Sequence, residues 1–132
     1  MNNRLILVYI TGILIGISYG LQGPLLPIFA KNVIGASYAD LGAIGFANFI
    51  PYMFFPLFVG ILLNRFNNAH LLSLGIGINS ISVYLLSISQ SVPEIMGFRI
   101  MTGVAHAFFW PPCVSIISKA SKEKDRVKNI SW

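Results

Sequence analysis

Charged residues are scarce in this sequence. Only 10% of its 132 residues are Asp, Glu, Lys or Arg, whereas 55% are hydrophobic, and the mean hydropathy is +0.75. A water-soluble domain carries about 25% charged residues, so this composition excludes an ordinary soluble globule. The apolar content also exceeds what one compact core of this length could bury. We therefore expect the surplus to face lipid.

Cysteine and acidic residues are few as well. The single cysteine, Cys113, excludes an intramolecular disulfide, and a zinc site would need three or four ligands. The acidic residues all fall in expected loops or interfaces; they are Asp40, Glu94, Glu123 and Asp125. No carboxylate pair is therefore expected inside the membrane for acid–base or metal chemistry. The sequence predicts no enzyme, no metal site and no cofactor.

Long apolar runs are abundant instead. The first uncharged run, Leu5 to Ala30, would extend about 39 Å as a helix, which exceeds the roughly 30 Å hydrocarbon core of a bilayer. It is also too long for the apolar part of a signal peptide. Lipid excludes open sheets because unpaired backbone groups are costly there, so the predicted class is all-α. The predicted transmembrane helices cover approximately residues 5–30, 41–63, 70–90 and 94–118.

The positions of Lys and Arg predict the orientation of these spans. Arg4, Arg65 and the basic segment 119–132 fall on one side of the membrane, whereas Lys31 falls on the other. The positive-inside rule then places the N-terminus and the C-terminus in the cytoplasm of a multi-pass cell-membrane protein. Segment 119–132 is interpreted as a topology signal that is attracted to anionic headgroups. Nucleic-acid binding is not expected, because it needs a basic face organised for phosphates.

Small and polar residues inside the spans suggest contacts between helices. Gly12, Gly16 and Gly20 recur at every fourth position of the first span, a spacing that favours close packing of another helix. Pro24 and Pro27 are expected to break that helix near its outer end. Neutral polar side chains suit either interhelical hydrogen bonds or the wall of a solute cavity, and the residues leave both open. The cavity-lining candidates are Gln22, Asn48, Tyr52 and Trp110.

The most informative residue is Arg99, which lies inside the fourth span. An arginine in a membrane helix costs about 3 kcal/mol or more and is by default a functional candidate. The alternative is that its side chain simply reaches water at the outer interface, near Glu94. His106 lies two turns further along the same face. It could relay protons, or it could hydrogen-bond a neighbouring helix.

Two segments resemble transporters of the major facilitator superfamily. Residues 20–27, Gly-Leu-Gln-Gly-Pro-Leu-Leu-Pro, are similar to the proline-broken first helix of that family. In the fourth span, Arg99 and Gly103 match an arginine-x-x-x-glycine signature, which residues 110–111 follow with a tryptophan and a proline.

The loop between the second and third spans resembles another signature of this family in part. Gly60, Leu62 and Arg65 match its glycine, leucine and arginine. The usual aspartate is replaced by Asn64, the second glycine by Asn67, and the basic pair is missing. A neutral amide can hydrogen-bond, but it cannot supply a charge to a salt-bridge latch.

The resemblance implies twelve helices in two bundles that alternate access to a central cavity. Helices one and four would line the cavity, and this chain would be about a third of such a transporter and inactive alone. The expected partners are the bilayer, a small solute and the missing C-terminal helices. The resemblance places Arg99 in a position that couples either protons or the substrate, and it leaves the coupling ion open. The coupling or gating candidates are Arg99, Gly103, His106, Gly60, Asn64 and Arg65.

The sequence is also compatible with two other classes of membrane protein. A small four-helix exporter could act as an oligomer, but the small multidrug exporters rely on an acid in the first helix, which residues 5–30 lack. A membrane scaffold or assembly subunit could instead use its glycine faces to dock partner helices.

Overall fold

The structure is a computed structural model that describes residues 3–120. All regular structure in this range is α-helical. Each of the four helices is long and apolar enough to cross a membrane, which confirms the predicted class. The helices are α1 (Asn3–Asn32), α2 (Tyr38–Leu62), α3 (Asn68–Ser87) and α4 (Val92–Ala120). Most of the predicted basic segment 119–132 lies outside the described residues.

Capping side chains place two helix starts earlier than the predicted positions 41 and 70. Ser37 Oγ accepts a hydrogen bond from the Asp40 N–H at 3.2 Å, and the Asp40 carboxylate accepts one from the Ser37 N–H at 2.8 Å. This reciprocal capping box begins α2 at Tyr38. At α3, the Asn67 side chain accepts from the Ala69 N–H at 2.9 Å. The caps satisfy backbone groups that the apolar pattern does not reveal.

The expected break at Pro24 and Pro27 is wrong. α1 continues through both prolines to Asn32. Each proline removes one backbone donor, but membrane helices tolerate this because neighbouring groups satisfy the freed carbonyls. The chain turns only afterwards, where Gly35 adopts a positive φ of 79°. That left-handed conformation is readily available to glycine.

The helices alternate in direction, and α4 lies between α2 and α3, with its most extensive contacts to them. Two apolar clusters hold the ends of the bundle. Near the start of α1, Leu5 and Val8 pack with Phe109 and Ile117 of α4. At the opposite end, Ala30 packs in a cluster whose other buried members are Ala36, Ile44, Leu86 and Ile95. α1 contacts α4 less extensively than α2 and α3 do.

Two glycines allow close backbone contact with α4. A Cβ built on Gly75 of α3 would lie 2.8 Å from the Phe108 carbonyl carbon. A Cβ built on Gly103 of α4 would overlap the Asn48 carbonyl oxygen and lie 2.5 Å from Pro51 Cγ. Both helices therefore approach α4 at positions where no side chain fits, as is common between membrane helices.

The predicted glycine face of α1 is not covered in the same way. Within residues 3–120, a Cβ built on Gly16, Gly20 or Gly23 would have no contacting atom within 4 Å. The large apolar residues Ile17 and Leu21 of the same region are more than half exposed, at 54% and 56%. This part of α1 is therefore open to lipid or to a further helix.

We expect Gly103→Ala to destabilise the α2–α4 contact by about 1–3 kcal/mol, because the added methyl must displace the α2 backbone or Pro51. Gly97→Ala is the matched control, since a Cβ at this position on the same helix meets no atom within 4 Å. It should be neutral or stabilising by up to about 1 kcal/mol, through helix propensity. Thermal unfolding in detergent, followed by circular dichroism, measures both. Equal stability of the two variants would contradict the packing.

Candidate functional site

Polar side chains from the other three helices meet α4 near its middle. The Tyr19 hydroxyl of α1 donates a hydrogen bond to Asn79 Oδ1 of α3 at 2.9 Å. The same hydroxyl lies 3.5 Å from the carbonyl oxygen of Thr102 on α4. Asn79 and Thr102 are both buried. Tyr19 therefore joins three helices at one point.

Asn48 makes the corresponding contact from α2. Its Nδ2 group donates to Thr102 Oγ1 at 2.8 Å and to the Arg99 carbonyl oxygen at 3.1 Å. The Thr102 hydroxyl donates to that same carbonyl oxygen at 2.8 Å. Asn48 is one of the predicted cavity-lining residues, and the structure places it in the α2–α4 interface, where both N–H groups of its amide donate hydrogen bonds. The network holds α2 against the turn of α4 that carries Arg99.

The Arg99 side chain is half-buried next to this network. Its Nε atom is buried and has no hydrogen-bond partner among the described residues. The guanidinium lies close enough to Tyr19 and His106 to interact electrostatically with both. The backbone of Arg99 is thus engaged with α2, whereas its charged group is not neutralised by any acid in residues 3–120.

Two further polar side chains lie close to Tyr19: His106 contacts its ring, and Gln22 lies one helical turn after it on α1. The His106 ring centroid lies 3.4 Å from that of Tyr19 and 5.4 Å from that of Tyr52, the latter in an edge-to-face arrangement. Gln22 Nε2 donates to Ser18 Oγ at 3.2 Å. His106 Nε2 and Gln22 Oε1 are buried without hydrogen-bond partners among the described residues. Three of the predicted site residues therefore come together here, namely Tyr52, Arg99 and His106. Gln22 lies on the next turn of α1 after Tyr19.

The remaining candidates lie elsewhere. Gly103 is in the α2–α4 contact, and Trp110 stacks edge-on against Phe109, with ring centroids 5.2 Å apart. Gly60 lies near the end of α2, and Asn64 and Arg65 are exposed in the turn that follows. Because Asn48 and Gly60 are separated by roughly 18 Å along the helix, the structure does not bring the predicted gate together with Arg99.

Sequence reasoning missed Tyr19, Asn79 and Thr102. Tyr19 lies three residues before Gln22, and Thr102 lies three residues after Arg99, so each shares a helix face with a predicted site residue. That spacing was the available signal. Asn68 was also missed: it is buried, and its Nδ2 donates to Ser115 Oγ of α4 at 2.7 Å.

The side chains around Arg99 offer one fixed positive charge, several hydrogen-bonding atoms and aromatic surface. Among residues 3–120, no cluster of His, Cys, Asp or Glu has the composition to hold a metal ion. Such a group is suited to binding a solute or exchanging hydrogen-bond partners within a helical bundle.

The family model described as Major Facilitator Superfamily matches residues 8–132. This match covers nearly the whole sequence, and the chain belongs to this superfamily of membrane transporters. The resemblance noted in the motifs is thereby confirmed. Members of the family are transporters and not enzymes, as predicted.

Two curated relatives extend this result. The chain is 24% identical over 132 residues to the quinolone resistance protein NorA of Staphylococcus aureus (strain MRSA252), a match that covers 100% of the chain and 34% of NorA. It is 25% identical over 93 residues to a probable hexose phosphate transport protein of Chlamydia trachomatis serovar D, covering 70% of the chain and 20% of that protein. The chain thus spans about a third of the length of NorA.

We expect Tyr19→Phe to lower stability by about 1–2 kcal/mol, because the buried Asn79 carbonyl would lose its donor. Tyr84→Phe is the matched control, since the Tyr84 side chain of α3 is 65% exposed. Unfolding of both variants in mixed detergent measures the effect. If Tyr19→Phe were as stable as Tyr84→Phe, the hydrogen bond to Asn79 would not hold α1 to α3.

Proposed function

We propose that this chain is the N-terminal part of a secondary transporter that moves a small solute across the cell membrane by alternating access. The observation that carries this proposal is the polar group around Arg99, which forms where α1, α2 and α4 meet inside an otherwise apolar bundle. Polar and ionisable groups at such depth mark solute or ion pathways in membrane proteins.

Arg99 is the proposed coupling residue. The neutral side chains of Asn48 and Thr102 hold its backbone, so its guanidinium can change partners without loosening the α2–α4 contact. His106 adds a titratable ring beside Tyr19. Protons are accordingly the proposed coupling ion.

The turn between α2 and α3 is the proposed inner gate. Its resemblance to the family signature supports this role for Gly60, Asn64 and Arg65. Because Asn64 is neutral, the gate would close through hydrogen bonds and not through an ion pair. The positive-inside rule places this turn and both termini in the cytoplasm.

The functional unit would include further helices. The uncovered glycine face at Gly16, Gly20 and Gly23 supports this, as does the coverage of only 34% of NorA. Helices that pack on this face would complete the cavity around Arg99. The chain alone would then bind its solute weakly and would not alternate access. Because NorA is a quinolone resistance protein, a quinolone is a reasonable first solute to test.

We expect proteoliposomes that contain only this chain to take up no fluorescent quinolone above protein-free liposomes when a pH gradient is imposed. The reason is that an alternating mechanism needs two opposing bundles. The measurement is accumulated fluorescence with and without a protonophore. Gradient-dependent accumulation would favour an oligomeric four-helix exporter instead.

In a full-length transporter that carries this chain as its N-terminal part, Arg99→Gln should reduce gradient-driven transport by about tenfold or more, since it removes a charge from the cavity. Arg99→Lys should retain part of the transport, and Tyr84→Phe, on the exposed face of α3, should leave it unchanged. Initial rates at matched expression test this. Normal transport by Arg99→Gln would mean that the side chain only reaches for the membrane surface.

A further inference from the structure

Arg99 has no acidic counter-ion within the described residues. The carboxylate of Asp40 accepts from the Ser37 N–H and hydroxyl at 2.8 and 2.7 Å, and it caps α2. Glu94 Oε2 accepts from the Gln90 N–H at 2.8 Å, at the start of α4. Five positions along a helix place Glu94 about 140° around the axis from Arg99. Both carboxylates therefore accept hydrogen bonds at the start of a helix and do not pair with Arg99.

The other acidic residues follow the opposite end of α4. Glu123 and Asp125 come after Ala120, and Ala120 lies roughly 30 Å along the helix axis from Arg99. They lie outside the described residues. A half-buried guanidinium that has no acidic partner in residues 3–120 favours an anion as its partner.

The helix directions put Gln22 and Arg99 at the same height in the bundle. Tyr19 of α1 contacts the Thr102 carbonyl of α4, and the two helices run in opposite directions. Gln22 lies three residues after Tyr19, and Arg99 lies three residues before Thr102. Gln22 and Arg99 therefore both lie roughly 4.5 Å from the Tyr19–Thr102 contact, measured along the helix axes, and on the same side of it.

Gln22 can donate a hydrogen bond at the height of Arg99 in the bundle. Its amide contacts the Ser18 hydroxyl, which both donates and accepts, so either end of the amide can face Ser18. With its oxygen on Ser18, the amide nitrogen is free to donate a hydrogen bond at the same height in the bundle as Arg99. The unpartnered end of Gln22 is buried, so a ligand would satisfy it.

Aromatic surface lies on the other side of the Tyr19–Thr102 contact. His106 follows Thr102 by four residues, and Tyr52 follows Asn48 by four, so both lie one turn in the opposite direction from Arg99 and Gln22. The His106 ring contacts the rings of both Tyr19 and Tyr52. Tyr52 remains 39% exposed. A charged end and an aromatic wall are thus separated by about two helical turns.

We infer that Arg99 and Gln22 bind a carboxylate, and that His106 and Tyr52 contact the ring of the same solute, which makes aromatic monocarboxylates the solute class of this site. This inference rests on the proposed function, because it names the solute class that the proposed cavity around Arg99 would take. The carboxylate accepts hydrogen bonds from the guanidinium and from the Gln22 amide.

The test measures binding of radiolabelled benzoate to the purified full chain by equilibrium dialysis. Neutral maltoside micelles supply no competing anion, and benzyl alcohol of similar size serves as the uncharged comparison. Benzoate should bind about tenfold more tightly than benzyl alcohol, because only the former pairs with Arg99. Equal binding of the two would overturn the inference.

Variants locate the site. Arg99→Gln should weaken benzoate binding by about tenfold and leave benzyl alcohol binding within about twofold. Arg99→Lys should retain most of the benzoate binding. Lys119→Gln removes one positive charge from the far end of the same helix and should change neither. Unaltered benzoate binding by Arg99→Gln, with a normal circular dichroism spectrum, would overturn the inference.

A lipid phosphate could also supply the anion. Short-chain phosphatidylglycerol should not displace benzoate at comparable concentration, and displacement would assign the site to a lipid headgroup instead of a solute. Benzoate binding needs no transport, so the two proposals fail separately. Absent binding with Arg99-dependent transport would overturn the solute class alone. Uptake by the chain alone would overturn the proposed function and leave the binding result standing.

Discussion

In lipid, helices gain little by burying apolar side chains against one another, so close backbone contact and interhelical hydrogen bonds must hold them together. Close backbone contact and interhelical hydrogen bonds occur together where α2 meets α4. Gly103 admits the Asn48 carbonyl and Pro51 of α2 to the surface of α4. That approach puts Asn48 Nδ2 within 2.8 Å of Thr102 Oγ1. This contact fixes which face of α4 remains for Arg99 and His106, so the positions of these two side chains depend on it.

The class of fold and the number of spans were predictable because lipid imposes a simple length requirement on apolar runs. The helix ends were less predictable. Two starts depend on the caps Ser37 and Asn67, which act through one or two hydrogen bonds and leave no mark on hydropathy. Pro24 and Pro27 were misleading, because the rule that proline ends a helix is weaker where neighbouring groups satisfy the freed carbonyls.

The site was predictable only in part. Arg99, His106 and Gln22 stood out because such residues are costly in an apolar span. Tyr19 and Thr102 did not, because tyrosine and threonine are common in membrane helices and their role here depends on contact with a second helix. Helix rotation decides such contacts, and a single sequence constrains rotation weakly. The same limit applies to Asn48, whose burial between α2 and α4 follows from the glycine opposite it.

The structure separates the groups that hold the bundle from the group that carries charge. Neutral amides and hydroxyls join the helices, and they use the backbone carbonyls of Arg99 and Thr102 as acceptors. The guanidinium takes no part in this network. A charge whose partner also held the helices together could not change that partner without loosening the bundle. Because the guanidinium of Arg99 makes none of these contacts, the proposed exchange of its counter-ion would leave the packing of α2, α3 and α4 intact.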